Sequence, residues 1–170
     1  MTDVYVRGPV EARRSPFLDL EQSDWDAMVA QIRSAFLGAR DYARGRQGGR
    51  IVFVSAAAAA RPIAGATLEG VAGAFLTTAA QVAAVELAPH GIRVNHIGPG
   101  WVLSALNDPS PAVADPEELE KSLATIPIEQ RPADPRELGR AVVYFASSDG
   151  DYVTGEYLRV DGGFVVGTFS

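Results

Sequence analysis

The segment Arg50-Ile51-Val52-Phe53-Val54-Ser55 constrains the fold more than any other part of the chain. Four apolar residues follow one another without polar alternation, so neither face of a strand built from them can lie in water. Such a strand belongs inside a parallel sheet with helices on both sides. The neighbouring segments supply those helices. From about Ser23 the residues Trp25, Met28, Val29, Ile32 and Phe36 repeat at helical spacing. Asp24 and Asp26 lie near the start of that helix, where its dipole favours negative charge, and Gly48-Gly49 close it. An alanine-rich helix is expected from about Thr67 to Ala88, ending before Pro89-His90-Gly91.

Strands flank this centre. Asp3 to Val6 reads as a short strand that stops at Arg7-Gly8-Pro9, Ile92 to Ile97 as one stopped by Gly98-Pro99-Gly100, and Glu156 to Val160 as one meeting Asp161-Gly162-Gly163. Two further helix starts share one grammar. Asp115-Pro116-Glu117-Glu118 and Asp134-Pro135-Arg136-Glu137 each place aspartate at the cap and proline in the first turn. The order β-α-β-α-β-α-α-β predicts an α/β fold with one parallel sheet and helices on both faces. A chain of 170 residues suffices for a single domain with a proper core, spanning 1–170, and no repeat or linker divides it.

Composition excludes several function classes. A formal charge of −6, with Lys121 the only lysine, argues against a nucleic-acid surface. No uninterrupted run approaches the roughly 18 apolar residues of a membrane span, and residues 1–14 lack the apolar core of a secretory signal. There is no cysteine, hence no thiolate nucleophile or sulfur metal site, and two histidines (His90 and His96) are too few for a histidine-built metal centre. The expectation is a cytoplasmic protein with no metal.

Four segments in order carry a family resemblance: Gly49 to Ser55, Val85-Glu86-Leu87-Ala88-Pro89-His90-Gly91-Ile92-Arg93-Val94-Asn95, Gly98-Pro99-Gly100, and Asp151-Tyr152-Val153-Thr154-Gly155-Glu156 through Gly163. Together they resemble the short-chain dehydrogenases/reductases over nearly the whole chain. The resemblance implies a partial Rossmann-like sheet, with Asp3 to Val6 as the family's fourth strand and the order 4-5-6-7 across the strands present. The family's glycine-rich pyrophosphate turn has no counterpart in these 170 residues, and Arg7-Gly8-Pro9-Val10 departs from its usual Asn-Asn-Ala-Gly. The N-terminal nucleotide-binding half is therefore expected to be missing, and no cofactor is expected.

The resemblance also assigns catalytic positions, and each is vacant. The family's tyrosine falls at Glu69 and its lysine at Gly73, one helical turn apart so that an ammonium could act on a phenolate. Its serine falls at Ala56 and its asparagine at Ile32. None of the five tyrosines has a lysine four residues on. Pro99, Gly100 and Ser104 resemble the loop beside the nicotinamide, and are read as a vestige of it.

Two other residues invite a chemical reading. Glu69 is a candidate acid/base for non-redox chemistry, since a carboxylate against alanines can have a raised pKa; it is also simply a glutamate favoured by the helix dipole. His96 lies near the C-terminal end of a strand, the edge where open α/β sheets bind ligands, although a buried hydrogen-bonded histidine accounts for it as well.

Three functions follow, in order of preference. The first is an inactive, short-chain dehydrogenase-like pseudoenzyme acting as a structural or regulatory subunit, in a homo- or hetero-oligomer with a family member. The small residues Gly70, Ala72, Gly73, Ala74, Ala79, Ala80, Ala83 and Ala84 allow close helix approach; in relatives this helix and the one from Ser23 build a dimer interface. The second is a small non-redox enzyme or ligand-binding domain using Ser55, Glu69, His96 and Ser104. The third, an NAD(P)-dependent oxidoreductase, rests on the family resemblance alone.

Overall fold

The structure is a computed structural model that describes residues 3–8, 14–103 and 116–167. Four strands, β1 (Val4–Arg7), β2 (Gly49–Val54), β3 (Ile92–Pro99) and β4 (Tyr157–Val160), form one parallel sheet in the order β1-β2-β3-β4. The helices are α1 (Gln22–Ala43), α2 (Thr67–Leu87), α3 (Pro116–Ala124) and α4 (Pro135–Ala146). The expected α/β class, the parallel sheet and the element order are all present. Most boundaries shift by a residue or two, because caps rather than apolar periodicity decide them; the exception is the end of α1, which stops at Ala43 with Arg44 as its cap instead of running to Gly48-Gly49. Helix α1 starts ahead of Ser23, where the Asp24 carboxylate accepts from the Glu21 N–H at 3.1 Å. Helix α4 starts where the sequence placed it: Asp134 accepts from the Arg136 N–H at 2.8 Å, while Glu137 accepts from the Asp134 N–H at 2.8 Å.

Every residue of β2 is buried, as its unbroken apolar run requires. Side-chain alternation then divides the interior in two. Ile51 and Phe53 of β2, with Ile92 and Val94 of β3, face α1 and α2 and pack with Met28, Leu68 and Leu76. Val52, Val54 and Ile97 face α4 and pack with Phe145. By the same alternation Ser55 and His96 belong to the α1/α2 side, one step beyond Phe53 and Val94, at the C-terminal edge of the sheet.

Helix α2 buries Leu68, Ala72, Gly73, Leu76, Ala80 and Ala84 at three- and four-residue spacing. With the following turn it is long and apolar enough over Thr67–His90 to cross a membrane by length and composition, although no unbroken apolar run of that length occurs. Its buried stripe lies against this sheet. Gly91, at φ 69°, stops it with a left-handed residue whose N–H donates to the Ala88 carbonyl at 2.9 Å.

Candidate functional site

Glu69 stands in the first turn of α2, but it is neither a free surface glutamate nor a carboxylate set among alanines. Arg14, in the segment before α1, grips both of its oxygens, Nε on Oε1 and Nη2 on Oε2, each at 3.1 Å. The pair is half-buried, and the guanidinium carbon lies 5.1 Å from the centroid of the Trp101 ring. No periodic signal marks this partner, Arg14, which lies 55 residues away.

One turn on, Gly73 is buried with no room above it. A Cβ at this position would lie 2.5 Å from Ala59 Cβ and 3.3 Å from Ser55 Oγ. The short turn Ala57–Ala59 thus rests where a lysine at position 73 would begin. Restoring the family's side chain requires that turn to move.

Beneath Gly73 three polar side chains meet in a chain. Ser55 Oγ lies 2.7 Å from His96 Nε2, and Thr77 Oγ1 lies 2.9 Å from His96 Nδ1. Thr77 Oγ1 also donates to the Gly73 carbonyl at 2.9 Å, the one hydroxyl proton that it has. Its remaining lone pair accepts from Nδ1–H, which leaves Nε2 bare to accept from Ser55. The alternative acceptor for Ser55, the Ala56 carbonyl, is 3.5 Å away. The network therefore assigns the Nδ1–H tautomer. Ser55 is 4% exposed and His96 0%. Burial away from any counter-charge pushes the imidazole down to about 4, so it is neutral at pH 7.

Tyr157 completes the surroundings. Its ring centroid is 4.8 Å from that of His96, and its hydroxyl reaches the Ala56 carbonyl at 3.4 Å. Gly98 makes this possible, because a Cβ there would collide with the Tyr157 hydroxyl. Burial raises the phenol pKa above its ordinary value, so it remains a donor at neutral pH.

The structure thus brings His96 together with Ser55, and keeps Glu69 on a separate, charged pair. Thr77, Arg14 and Tyr157 escaped sequence reasoning. Thr77 alone left a trace, as a polar residue four positions after Gly73 on the same face of an apolar helix. Ile32 is a half-buried packing residue on α1. Ala56 follows β2 in extended conformation and offers a carbonyl in place of a hydroxyl. Pro99 ends β3, and Gly100 sits against Asp161, whose Cα would be 2.9 Å from an added Cβ. Ser104 lies outside the described residues. Exposed His90 has its Nδ1 3.5 Å from the Gln47 amide.

The profile of the family described as Enoyl-(Acyl carrier protein) reductase matches residues 6–165. Among individual proteins, an oxidoreductase of Escherichia coli, YohF, is 30% identical over 96% of this chain and 65% of its own length. The 3-oxoacyl-[acyl-carrier-protein] reductase FabG of Vibrio cholerae is 30% identical over 95% and 66%. The crystal structure of acetoin dehydrogenase from Enterobacter cloacae superposes with a TM-score of 0.84 at 31% identity, covering 99% of this chain and 67% of that one. The chain therefore spans about two thirds of the length of these relatives. With the profile matched from the first strand to beyond the last, the chain belongs to the short-chain dehydrogenase/reductase family.

Proposed function

We propose that this chain is inactive as a dehydrogenase and acts as a structural or regulatory subunit, in an oligomer with a second copy or with another family member. The observation that carries this reading is the closed catalytic turn. Ala59 Cβ lies 2.5 Å from where a Cβ at position 73 would be, and the carboxylate at position 69 is held by Arg14. Hydride transfer by the family mechanism needs a phenol and an ammonium on these two positions, with space for a nicotinamide ribose beside them. Position 69 carries a carboxylate and position 73 no side chain, and a side chain at 73 would meet Ala59.

The outer side of the helical layer supports the subunit role. Trp25 and Phe36 on α1 and Val71, Phe75 and Val82 on α2 are all exposed by 39% or more, and Phe36 meets Phe75 edge to face at 6.2 Å. Between the C-terminal halves of the two helices runs a groove of about 650 Å³, floored by Ile51 and Phe53 and walled by Ala39, Ala83 and Leu87. Continuous apolar surface of this kind marks a contact face.

Light scattering on the purified chain, with co-purification from its native extract, tests the proposal. An oligomer that Phe75→Asp dissociates is expected. A monomer both in isolation and in the extract defeats the subunit role. Calorimetry with millimolar NADH and NADPH tests the other half, and binding of either would return the oxidoreductase reading.

A second reading, ligand binding or non-redox chemistry, is favoured by one observation: the Ser55–His96–Thr77 chain at the ligand-binding edge of the sheet. Its acid/base group would be His96 rather than Glu69.

A further inference from the structure

We propose that Ser55 is a reactive serine, acylated by small activated esters or thioesters with His96 as its base and Thr77 as the residue that positions the base. This rests on the non-redox reading and is independent of the subunit role. The geometry supplies each part of the relay. Nε2 carries no proton and lies 2.7 Å from Oγ, and Nδ1–H is fixed on Thr77 Oγ1 at 2.9 Å. That is the arrangement by which a hydroxyl becomes a nucleophile: a base within hydrogen-bond reach, oriented by a third group. Ser55 immediately follows β2 and is succeeded by the tight turn Ala57–Ala59, at the edge where parallel sheets bind ligands. Gly73 and Ala59 lie beside Oγ: a Cβ at position 73 would be 3.3 Å from Oγ and 2.5 Å from Ala59 Cβ.

In the acylation step Oγ attacks the carbonyl carbon while its proton passes to Nε2. The bond from carbon to the leaving alcohol or thiol breaks, and that group takes the proton from Nε2, so the imidazole ends neutral. Water reverses the sequence, giving a proton to Nε2 as it attacks the acyl carbon. Oγ leaves and regains the proton. Thr77 is a neutral third member, so it orients the ring without stabilising an imidazolium. Acylation is accordingly slow, and faster for acetyl than for bulky acyl esters, because the alanine turn must yield.

The test treats the folded full chain with p-nitrophenyl acetate and, separately, a fluorophosphonate, and maps adducts by peptide mass spectrometry. A single adduct on Ser55 is expected, lost in His96→Gln and lost on unfolding in urea. Because the base titrates near pH 4, the acylation rate should be flat from pH 5 to 8 rather than rise through neutrality. Thr77→Val should slow acylation about tenfold, as removal of one hydrogen bond that holds the ring predicts, with the adduct still on Ser55 and the flat profile unchanged. No adduct on Ser55 in the folded protein overturns the proposal. So does an adduct that forms equally in His96→Gln or in urea. The subunit role is read separately, by light scattering on the same untreated sample.

Discussion

Two adjacent turns of α2 handle polarity in opposite ways. At the outer turn Glu69 carries a full charge, half-buried, and meets the full charge of Arg14. At the inner turn Gly73 and Thr77 look down on His96 and Ser55, where no charge is present and neutral hydroxyls and an imidazole satisfy one another. The difference follows from water. A charge pair at the rim keeps part of its hydration and has modest net worth. An isolated charge at the depth of His96 would be costly, so the ring stays neutral and spends its two nitrogens on dipoles. At the inner turn every donor therefore has an acceptor, and a single loss there should exceed any loss at the rim.

The largest expected effect comes from His96→Ala. It removes a fully buried ring and leaves the Ser55 hydroxyl without its acceptor on the ring, and cavity and orphaned hydroxyl together predict a loss of about 3 kcal/mol. Urea unfolding measures it. The triple change Ser55→Ala, His96→Leu, Thr77→Val removes both ends of each hydrogen bond made by the ring and should recover much of that loss. If the triple variant is less stable than His96→Ala, the inner turn is not behaving as a satisfied neutral network.

Acid provides nearly the same perturbation without a mutation. The imidazole pKa is about 4 folded against 6.5 unfolded. The unfolded chain therefore binds a proton first, and stability is full above pH 6.5 and falls as pH drops towards 4. The difference corresponds to about 3 kcal/mol once both states are protonated. The paired carboxylates Glu137 and Asp151 are held below the usual carboxylate range by Arg131 and Arg50, so they titrate below this window. His96→Gln should flatten the slope between pH 6.5 and 4.5. An unchanged slope in that variant would assign the proton to another group.

Much of the fold was legible in the residues, and the reason is local. The unbroken apolar run of β2, the Asp-Pro start of α4 and the glycine after α2 each fix an element with side chains within a few positions. The placing of the family's catalytic positions on Ala56, Glu69 and Gly73 also rests on spacing, since a helix and a strand carry a motif in register. What those positions meet in space was not readable. Arg14 reaches Glu69, and Ser55 reaches His96, across 55 and 41 residues with no periodic signal. From the sequence Glu69 reads either as a first-turn glutamate or as an acid/base carboxylate among alanines, with His96 as a second candidate; in the structure Glu69 is the charged member of the rim pair. Strand alternation could have put Ser55 and His96 on one face. Only the fold puts Thr77 above them.

A smaller effect is expected where the two turns meet. Gly73→Ala gains about 1 kcal/mol of helix propensity, but its Cβ would sit 2.5 Å from that of Ala59 and must displace the turn Ala57–Ala59. Overpacking of this kind costs about 1–3 kcal/mol, so a net loss of about 1 kcal/mol is expected on thermal unfolding. The pair Glu69→Tyr with Gly73→Lys should destabilise further and restore no reduction of acetoin by NADH or NADPH. A stabilised Gly73→Ala would mean that the turn yields freely and leaves room for a side chain at position 73.

The smallest effect should come from the rim itself. Glu69→Gln keeps the size of the side chain and removes the charge facing Arg14. Half-exposed ion pairs contribute up to about 1 kcal/mol and lose part of that in salt. The variant should therefore unfold within about 1 kcal/mol of the parent in low salt, with the gap narrowing in molar sodium chloride. A double-mutant cycle with Arg14→Met isolates the pair, and its coupling should vanish at high salt while the cost of His96→Ala stays constant. A coupling between Glu69 and Arg14 that is large and indifferent to salt would place the rim in the same dry environment as His96. The two turns would then differ in charge alone, and the gradient of hydration along α2 would not explain why one of them is ionic and the other neutral.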